Sequence, residues 1–403
     1  MSTAPVSSPA PPDQSARVPL LAVVAGIAVA NLYYAQPMAA MMAGSLGVSA
    51  AALGVALMLC QIGYALGMLL LVPLGDGRER RSLMVITALA SAVTLLLMSV
   101  APSYAVVAAL SLVLGFSSCL PQLAVPFAVG LVAPGQRGRA IGVVMGGLLT
   151  GILLSRTASG VLAGVVGWRV TFGMAAALMG LTAALIRLAL PPQRPPQPLA
   201  WRAILASLFG VVRAEPLLRR QALVGALGFA SFSTFWSTLS FHVTRLGYGS
   251  KTAGLFGLVG VVGVIAAPIV GRVAGRVRPT LINQLGLAAM VISFVVFAAG
   301  AHSLVVLGVG VVLLDAGSQS SHLANQTIIF GLNQALRNRI NAIYMVSFFV
   351  GGALGTAAAA FVWERAGWTG VCVLGGALAA AGQLPLVRER ASRTEGMAPQ
   401  PRG

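Results

Sequence analysis

Twelve apolar segments, each about as long as a bilayer is thick, leave this chain almost no choice of fold. They lie at 18–43, 50–73, 82–100, 104–131, 139–164, 168–190, 219–243, 252–272, 280–300, 304–330, 340–361 and 368–387. About 20 apolar residues cross a ~30 Å hydrocarbon core as a helix, and a helix satisfies its own backbone there. Of the 403 residues 58% are hydrophobic and only 8% charged, too few to clothe a soluble protein of this size. The 48 glycines suit close helix packing in lipid. The expectation is an all-α membrane protein with 12 transmembrane helices in two six-helix bundles.

The net charge is +18, which on a soluble chain would point to nucleic acid. Its placement points to topology instead, and no nucleic-acid partner is expected. Of the 26 Lys and Arg, 21 fall in the tails and one set of alternate connections, including Arg78, Arg80, Arg81, Arg137 and Arg139. The other connections hold four, Arg169, Arg245, Lys251 and Arg365. The positive-inside rule then puts both termini in the cytoplasm, and the arginines attract anionic lipid of the same bilayer.

Residues 1–17 read as a disordered cytoplasmic tail, rich in Pro and Ser. The apolar run after it is too long for a cleavable signal. Residues 18–190 form the N-terminal bundle, 191–218 a cytoplasmic linker, 219–387 the C-terminal bundle and 388–403 a second tail. Cys60, Cys119 and Cys372 lie in apolar segments with no metal spacing, and no cofactor is expected.

The halves repeat at an offset of 198–200 residues. Arg137-Gly138-Arg139 aligns with Arg337-Asn338-Arg339, Gly151 with Gly351, and Gly167-Trp168 with Gly367-Trp368. Six helices per copy make this a parallel repeat, as in transporters that rock two halves about a central site.

These features resemble the major facilitator superfamily. The connection after helix 2, PLGDGRERRSL, is similar to its acidic-basic loop signature. Asp76, Arg80 and Arg81 match the acid and the two terminal bases, whereas Gly77 replaces a base and Glu79 a glycine. The resemblance implies that Asp76, Arg80 and Arg81 gate the conformational change, with Asp76 tying the loop to helix ends. NLYYAQP (31–37), QIGYALG (61–67) and SRTASG (155–160) resemble a bacterial subgroup of small-molecule efflux transporters. Two departures stand out. Ser111 lies near a position where drug–proton antiporters carry arginine, and Ser155 and Arg156 replace their helix-5 Gly-Pro. The resemblance further implies a cavity bounded by helices 1, 4, 7 and 10. That places Asn31, Tyr34, Gln36, Gln122, Thr234, Trp236 and Thr238 near the substrate.

Two charges lie deep in the spans, Asp315 and Arg156. Such residues are costly and are functional candidates by default. Each lies 12 residues from an outer helix end, roughly 18 Å deep. Asp315, Gln319, His322 and Gln326 are spaced 4, 3 and 4, lining one helix face. Asp315 and His322 are candidates for carrying a proton, and Gln319 and Gln326 for contacting substrate. Arg156 has three readings: a structural ion pair with Asp315, an anchor for an anionic solute, or a partner in proton coupling.

The expected function is secondary transport of a small organic solute across the inner membrane by alternating access, coupled to protons and directed outward. An alternative is proton-coupled uptake of an organic anion. The chain is expected to work as a monomer and not to be an enzyme. It has no G-x-x-x-x-G-K-[ST] loop for ATP and no nucleophile–base or metal constellation.

Overall fold

The computed structural model describes residues 14–194, 201–260, 277–333 and 336–386; the side chains of residues 76 and 202–204 are not among those described. The N-terminal half comprises α1 (Val18–Ala30), α2 (Ala35–Leu46), α3 (Ala50–Leu70), α4 (Arg80–Ser99), α5 (Tyr104–Ser117), α6 (Leu120–Gly130) and α7 (Arg137–Ala189). After α8 (Trp201–Ala214) come α9 (Pro216–Arg245), α10 over 250–260, α11 (Pro279–Ala299), α12 (Leu304–Phe330) and α13 (Arg337–Ala381). Among the described residues nine helical stretches are long and apolar enough to cross a membrane. The remainder of the expected eighth span, 261–272, lies outside the described residues.

Two of the nine stretches each supply two crossings. As one rod, the 53 residues of α7 would run about 80 Å. It turns at Gly167, with φ 81° and ψ 162°, and α13 turns at Gly367, with φ 60° and ψ −152°. Only glycine enters such conformations at little cost. Gly47 and Gly247 also have positive φ. These four glycines form two pairs 200 residues apart, so the sequence repeat is a repeat of backbone. The indoles after the turns donate to neighbouring helices, Trp168 to Ser45 Oγ (2.7 Å) and Trp368 to the Phe297 carbonyl (3.0 Å).

Packing repeats at the same interval. A Cβ on Gly151 would lie 2.2 Å from the Gly26 carbonyl oxygen, and one on Gly351 2.3 Å from that of Ala226. The α1–α7 and α9–α13 backbones therefore nearly touch. On the lipid side, Ile86, Leu89, Val93, Leu96 and Val100 make an exposed apolar stripe along α4.

Two expected continuous spans, 18–43 and 104–131, are broken in the middle. Pro37 and Pro121 would clash with the carbonyls four residues earlier and donate no hydrogen bond. Before Pro37 the chain tightens into three-residue turns, with Tyr33 N to Ala30 O at 3.0 Å and Gln36 N to Tyr33 O at 3.2 Å. The two breaks meet where Asn31 Nδ2 donates to Ser118 Oγ at 3.3 Å.

The end of the first tail is more ordered than expected, and the linker is partly helical. Ser15–Arg17 form a 3-10 turn, and Gln14 N bonds to the Leu131 carbonyl at 3.2 Å, so the end of the first tail is ordered. The linker contains α8, whose Leu208 and Val211 are buried and whose Trp201 indole donates to the Leu70 carbonyl at 2.8 Å.

Among the described residues the direct hydrogen bonds between the bundles lie between mid-membrane and the arginine-poor end. Ser240 Oγ accepts from Ala40 N (3.1 Å) and donates to the Pro37 carbonyl (3.0 Å). Gln61 Nε2 donates to Thr356 Oγ1 (2.8 Å), and Thr157 Oγ1 to the Gly254 carbonyl (2.9 Å). At the rim, Glu364 Oε1 accepts from Ala51 N at 2.7 Å, so an acid of one half caps a helix of the other. Towards the arginine-rich end α7 exposes Ile141, Val143 and Met145, while Gln319, His322 and Gln326 are half-buried. The molecule is closed at the arginine-poor end.

Candidate functional site

Arg156 projects from the first span of α7 and is 2% exposed. Its guanidinium carbon lies 4.5 Å from the Tyr33 ring centroid and 4.2 Å from that of Trp236, with Phe232 at 5.7 Å. Aromatic faces attract a cation, more so away from water. Its Nε donates to Gln36 Oε1 at 2.8 Å. Among the described residues nothing accepts a hydrogen bond from Nη2.

The helix break puts Tyr33 and Gln36 in place. The tight turns before Pro37 carry Tyr33 to the start of α2, and Gln36 follows in its first turn. Opposite, α10 meets the two charges with glycines. A Cβ at Gly257 would lie 3.0 Å from the Arg156 Cβ, and one at Gly260 2.2 Å from Asp315 Oδ2. Glycine at these two positions lets the α10 backbone close over both charges.

Asp315, on α12, is 4% exposed. It makes no direct pair with Arg156, since among the described residues no nitrogen–oxygen contact within 4.0 Å joins them. Trp236 stands between them, its ring face against the guanidinium and its Nε1 donating to Asp315 Oδ1 at 3.3 Å. The reading of Arg156 as one half of a direct ion pair is therefore corrected: the charges are at matching depth, but an indole separates them. The space beside them, lined by Gln36, Pro37, Arg156, Trp236, Leu239, Ser240 and Ala253 of α10, is too tight for a water-sized sphere.

Other sequence candidates fall elsewhere. Thr234 and Thr238 are fully buried and donate to the carbonyls four residues earlier, Ala230 (2.9 Å) and Thr234 (2.7 Å). Their hydroxyls are spent on α9 itself. Asn31 faces Ser118, and Gln122 Nε2 donates to Tyr64 OH at 3.1 Å. Tyr34 is buried at the start of α2. His322 Nδ1 lies 3.1 Å from the Tyr344 hydroxyl. With Gln319 and Gln326 it lines the half-buried face of α12 below Asp315.

The loop after α3 is organised by an acid that the sequence signature did not assign. Asp76 ends a 3-10 turn, Val72–Asp76, and its side chain lies outside the described residues. Glu79 caps α4, accepting from Arg81 N (3.0 Å), Ser82 N (3.0 Å), the Ser82 hydroxyl and Gln193 N (3.1 Å). Burial alone would raise its pKa, but these hydrogen bonds outweigh it and hold the carboxylate below the usual glutamate range. Arg80 Nε donates to the Gly75 carbonyl at 3.1 Å and its Nη1 to Gln193 Oε1 at 3.3 Å. Arg81 Nη1 reaches the Leu190 carbonyl at 3.1 Å. Glu79 and the two arginines thus tie the α3–α4 loop to the end of the sixth span. The signal for Glu79 was its position just before a helix with Ser82 three residues on.

Comparisons with known proteins agree with this architecture. The profile of the Major Facilitator Superfamily matches residues 21–332. The uncharacterized transporter YgaY of Escherichia coli O157:H7 is 37% identical over 366 residues, covering 90% of this chain and 93% of that protein. The probable transporter SCO4007 of Streptomyces coelicolor is 31% identical over 391 residues, covering 93% of this chain and 90% of that one. Among solved structures, the nucleoside transporter NupG superposes with a TM-score of 0.78 at 12% identity, over 93% of this chain and 99% of that one. At that identity the likeness speaks for the fold alone.

Proposed function

The chain belongs to the major facilitator superfamily and is a multi-pass membrane transporter rather than an enzyme; we propose that it moves a small organic solute by alternating access, driven by protons, with Asp315 as the proton carrier and Arg156 as the solute anchor. The observation that carries this reading is the buried Arg156–Trp236–Asp315 arrangement. Two opposite charges, one from each half, share an indole without touching. A change of charge on either is felt by the other across the plane along which the halves must part. Trp236 and Gln36 orient the guanidinium, and His322 lies two turns from Asp315 on α12, toward the arginine-rich end. The lipid-facing stripe of α4 and the arginine asymmetry support an inner-membrane protein with cytoplasmic termini. On that reading the closed end faces outward, and Glu79, Arg80 and Arg81 brace the cytoplasmic ends of the N-terminal bundle.

Export is the direction implied by the subgroup resemblance. Arg156 Nη2, which has no acceptor among the described residues, favours the alternative, uptake of an organic anion, because a guanidinium is built to hold a planar oxyanion. Proteoliposomes with an imposed pH gradient test the coupling. Wild-type protein should accumulate solute against its gradient, and Asp315→Asn should lose accumulation while retaining solute exchange at equal pH. Undiminished accumulation by Asp315→Asn would remove Asp315 from the coupling.

A further inference from the structure

We propose that the solute is an aromatic anion and that it binds together with a proton, as an electrically neutral pair. This rests on Arg156 and Asp315 being the transport site, and it adds the chemical class of the solute and the sign of the coupling.

The anion follows from the unfinished coordination of Arg156. The guanidinium carbon lies over the rings of Tyr33 and Trp236 and Nε is used by Gln36, while Nη2 has no acceptor among the described residues. One oxygen of a carboxylate or sulfonate completes this set. A neutral carbonyl would also accept a hydrogen bond, but an anion forms the stronger charge-assisted one.

The proton follows from charge balance. Among the described residues the groups facing Asp315 are Arg156 from α7, Trp236 from α9 and the backbone of α10 at Gly260. Tyr33 and Cys60 lie beyond Arg156, and His322 is two turns away on α12. Arg156 and Asp315 therefore sum to zero formal charge. An added anion would leave a buried net negative charge, which is costly in a low-dielectric interior. Protonation of Asp315 restores neutrality. Each ligand thus favours the other, and by linkage the effect is reciprocal. An exchanger would require the opposite sign, with solute and proton competing.

The aromatic character follows from the surface below the guanidinium. Phe229, Phe232 and Trp236 are spaced 3 and 4 along one face of α9. Between residues 228 and 243 of that helix only Phe232 is not buried. Its ring centroid is 6.1 Å from Trp236 and 5.7 Å from Phe229, with which it stacks. Phe229 stacks on the half-buried Phe348 at 4.0 Å, and Phe348 lies 4.6 Å from His322. A cation thus heads a strip of rings that descends toward the arginine-rich end. A flat ring bearing one anionic group meets both parts at once.

Calorimetry on the full chain in nanodiscs at pH 7.5 tests the proposal with three probes: 1-naphthoate, 1-naphthamide and cyclohexanecarboxylate. Titrations in two buffers of different ionisation enthalpy count the protons exchanged. Naphthoate should bind about tenfold or more tighter than either other probe and should take up a proton. Asp315→Asn should bind naphthoate without proton uptake, and Arg156→Gln should bind it no better than naphthamide. Phe232→Leu, which keeps an apolar side chain, should weaken naphthoate about threefold to tenfold and spare cyclohexanecarboxylate. Proton release, zero uptake by the wild type, or equal affinity for the three probes would overturn the proposal and leave the transport site standing. Wild-type binding of naphthoate that neither Arg156→Gln nor Asp315→Asn alters would instead overturn the site itself.

Discussion

Gly151 sets the spacing of the N-terminal bundle, and its replacement by alanine gives a sharp test of the packing. The added Cβ would lie 2.2 Å from the Gly26 oxygen and 2.4 Å from the Gly26 Cα. Both are backbone atoms that cannot rotate away, and both distances fall at least 1 Å short of ordinary contact, which begins at 3.4 Å. The helices must separate, and a gap of 0.5–1 Å already forfeits about a quarter to a half of the dispersion attraction along a seam. Overpacking of this kind costs about 1–3 kcal/mol. Alanine returns up to about 1 kcal/mol through helix propensity, so the control must share that gain. Gly146, on the same helix, has nothing within 4 Å of its added Cβ. Gly146→Ala should therefore be neutral or slightly stabilising, and Gly151→Ala should fall below it by about 1–3 kcal/mol. Unfolding by sodium dodecyl sulfate in mixed micelles, followed by far-UV circular dichroism, measures the difference. Equal stability of the two variants would refute the close α1–α7 approach. Gly351→Ala, at the repeated position, should behave like Gly151→Ala.

Three further outcomes are expected. Glu79 has a depressed folded pKa, so its stabilisation is complete above the unfolded glutamate value of about 4.3 and is lost as pH falls through the lower folded value; acid unfolding of Glu79→Gln should show a shallower pH dependence in that window, and identical profiles would count against the cap. Glu364→Ala removes the cap that joins the halves at the rim; a cysteine placed by Ser240→Cys, buried in the wild type, should react several-fold faster with a membrane-impermeant maleimide, and an unchanged rate would show that the rim does not hold the closure. Trp236→Phe keeps a ring against Arg156 but deletes the N–H bonded to Asp315; the apparent pKa of proton-driven accumulation should rise because the ionised carboxylate loses a donor, whereas an unmoved pH profile would deny the indole that role.

The residues that could be read from sequence share one property: their position along the chain was enough. The depth of Arg156 and Asp315, the polar stripe of α12 and the pairing of Gly167 with Gly367 all follow from counting. What counting does not provide is the rotation of each helix about its axis. That rotation decides whether a hydroxyl such as Thr234 faces a cavity or bonds to its own helix, and it alone put Trp236 between two charges. Pro37 and Pro121 were visible, but their consequence, two breaks that meet at Asn31 and Ser118, depends on how spans 1 and 4 pack. Glu79 was legible as a loop residue, and Glu364 lies close to the Gly367 turn that ends its span. Their roles were hidden because a cap is defined by which orphan N–H groups the fold delivers to it.

The paired glycines show how far duplication extends and where it stops. Turns and close-packed seams recur at an interval of 200 residues, but the charges do not. Arg156 corresponds to Thr356, and Asp315 to Gly115. The framework recurs in both halves while the buried charges do not, one half carrying the cation and the other the acid. A symmetric pair of N-terminal halves would hold two buried arginines and no counter-charge, and a pair of C-terminal halves the reverse. The division of labour makes the single continuous chain an obligate heterodimer of its own ancestors.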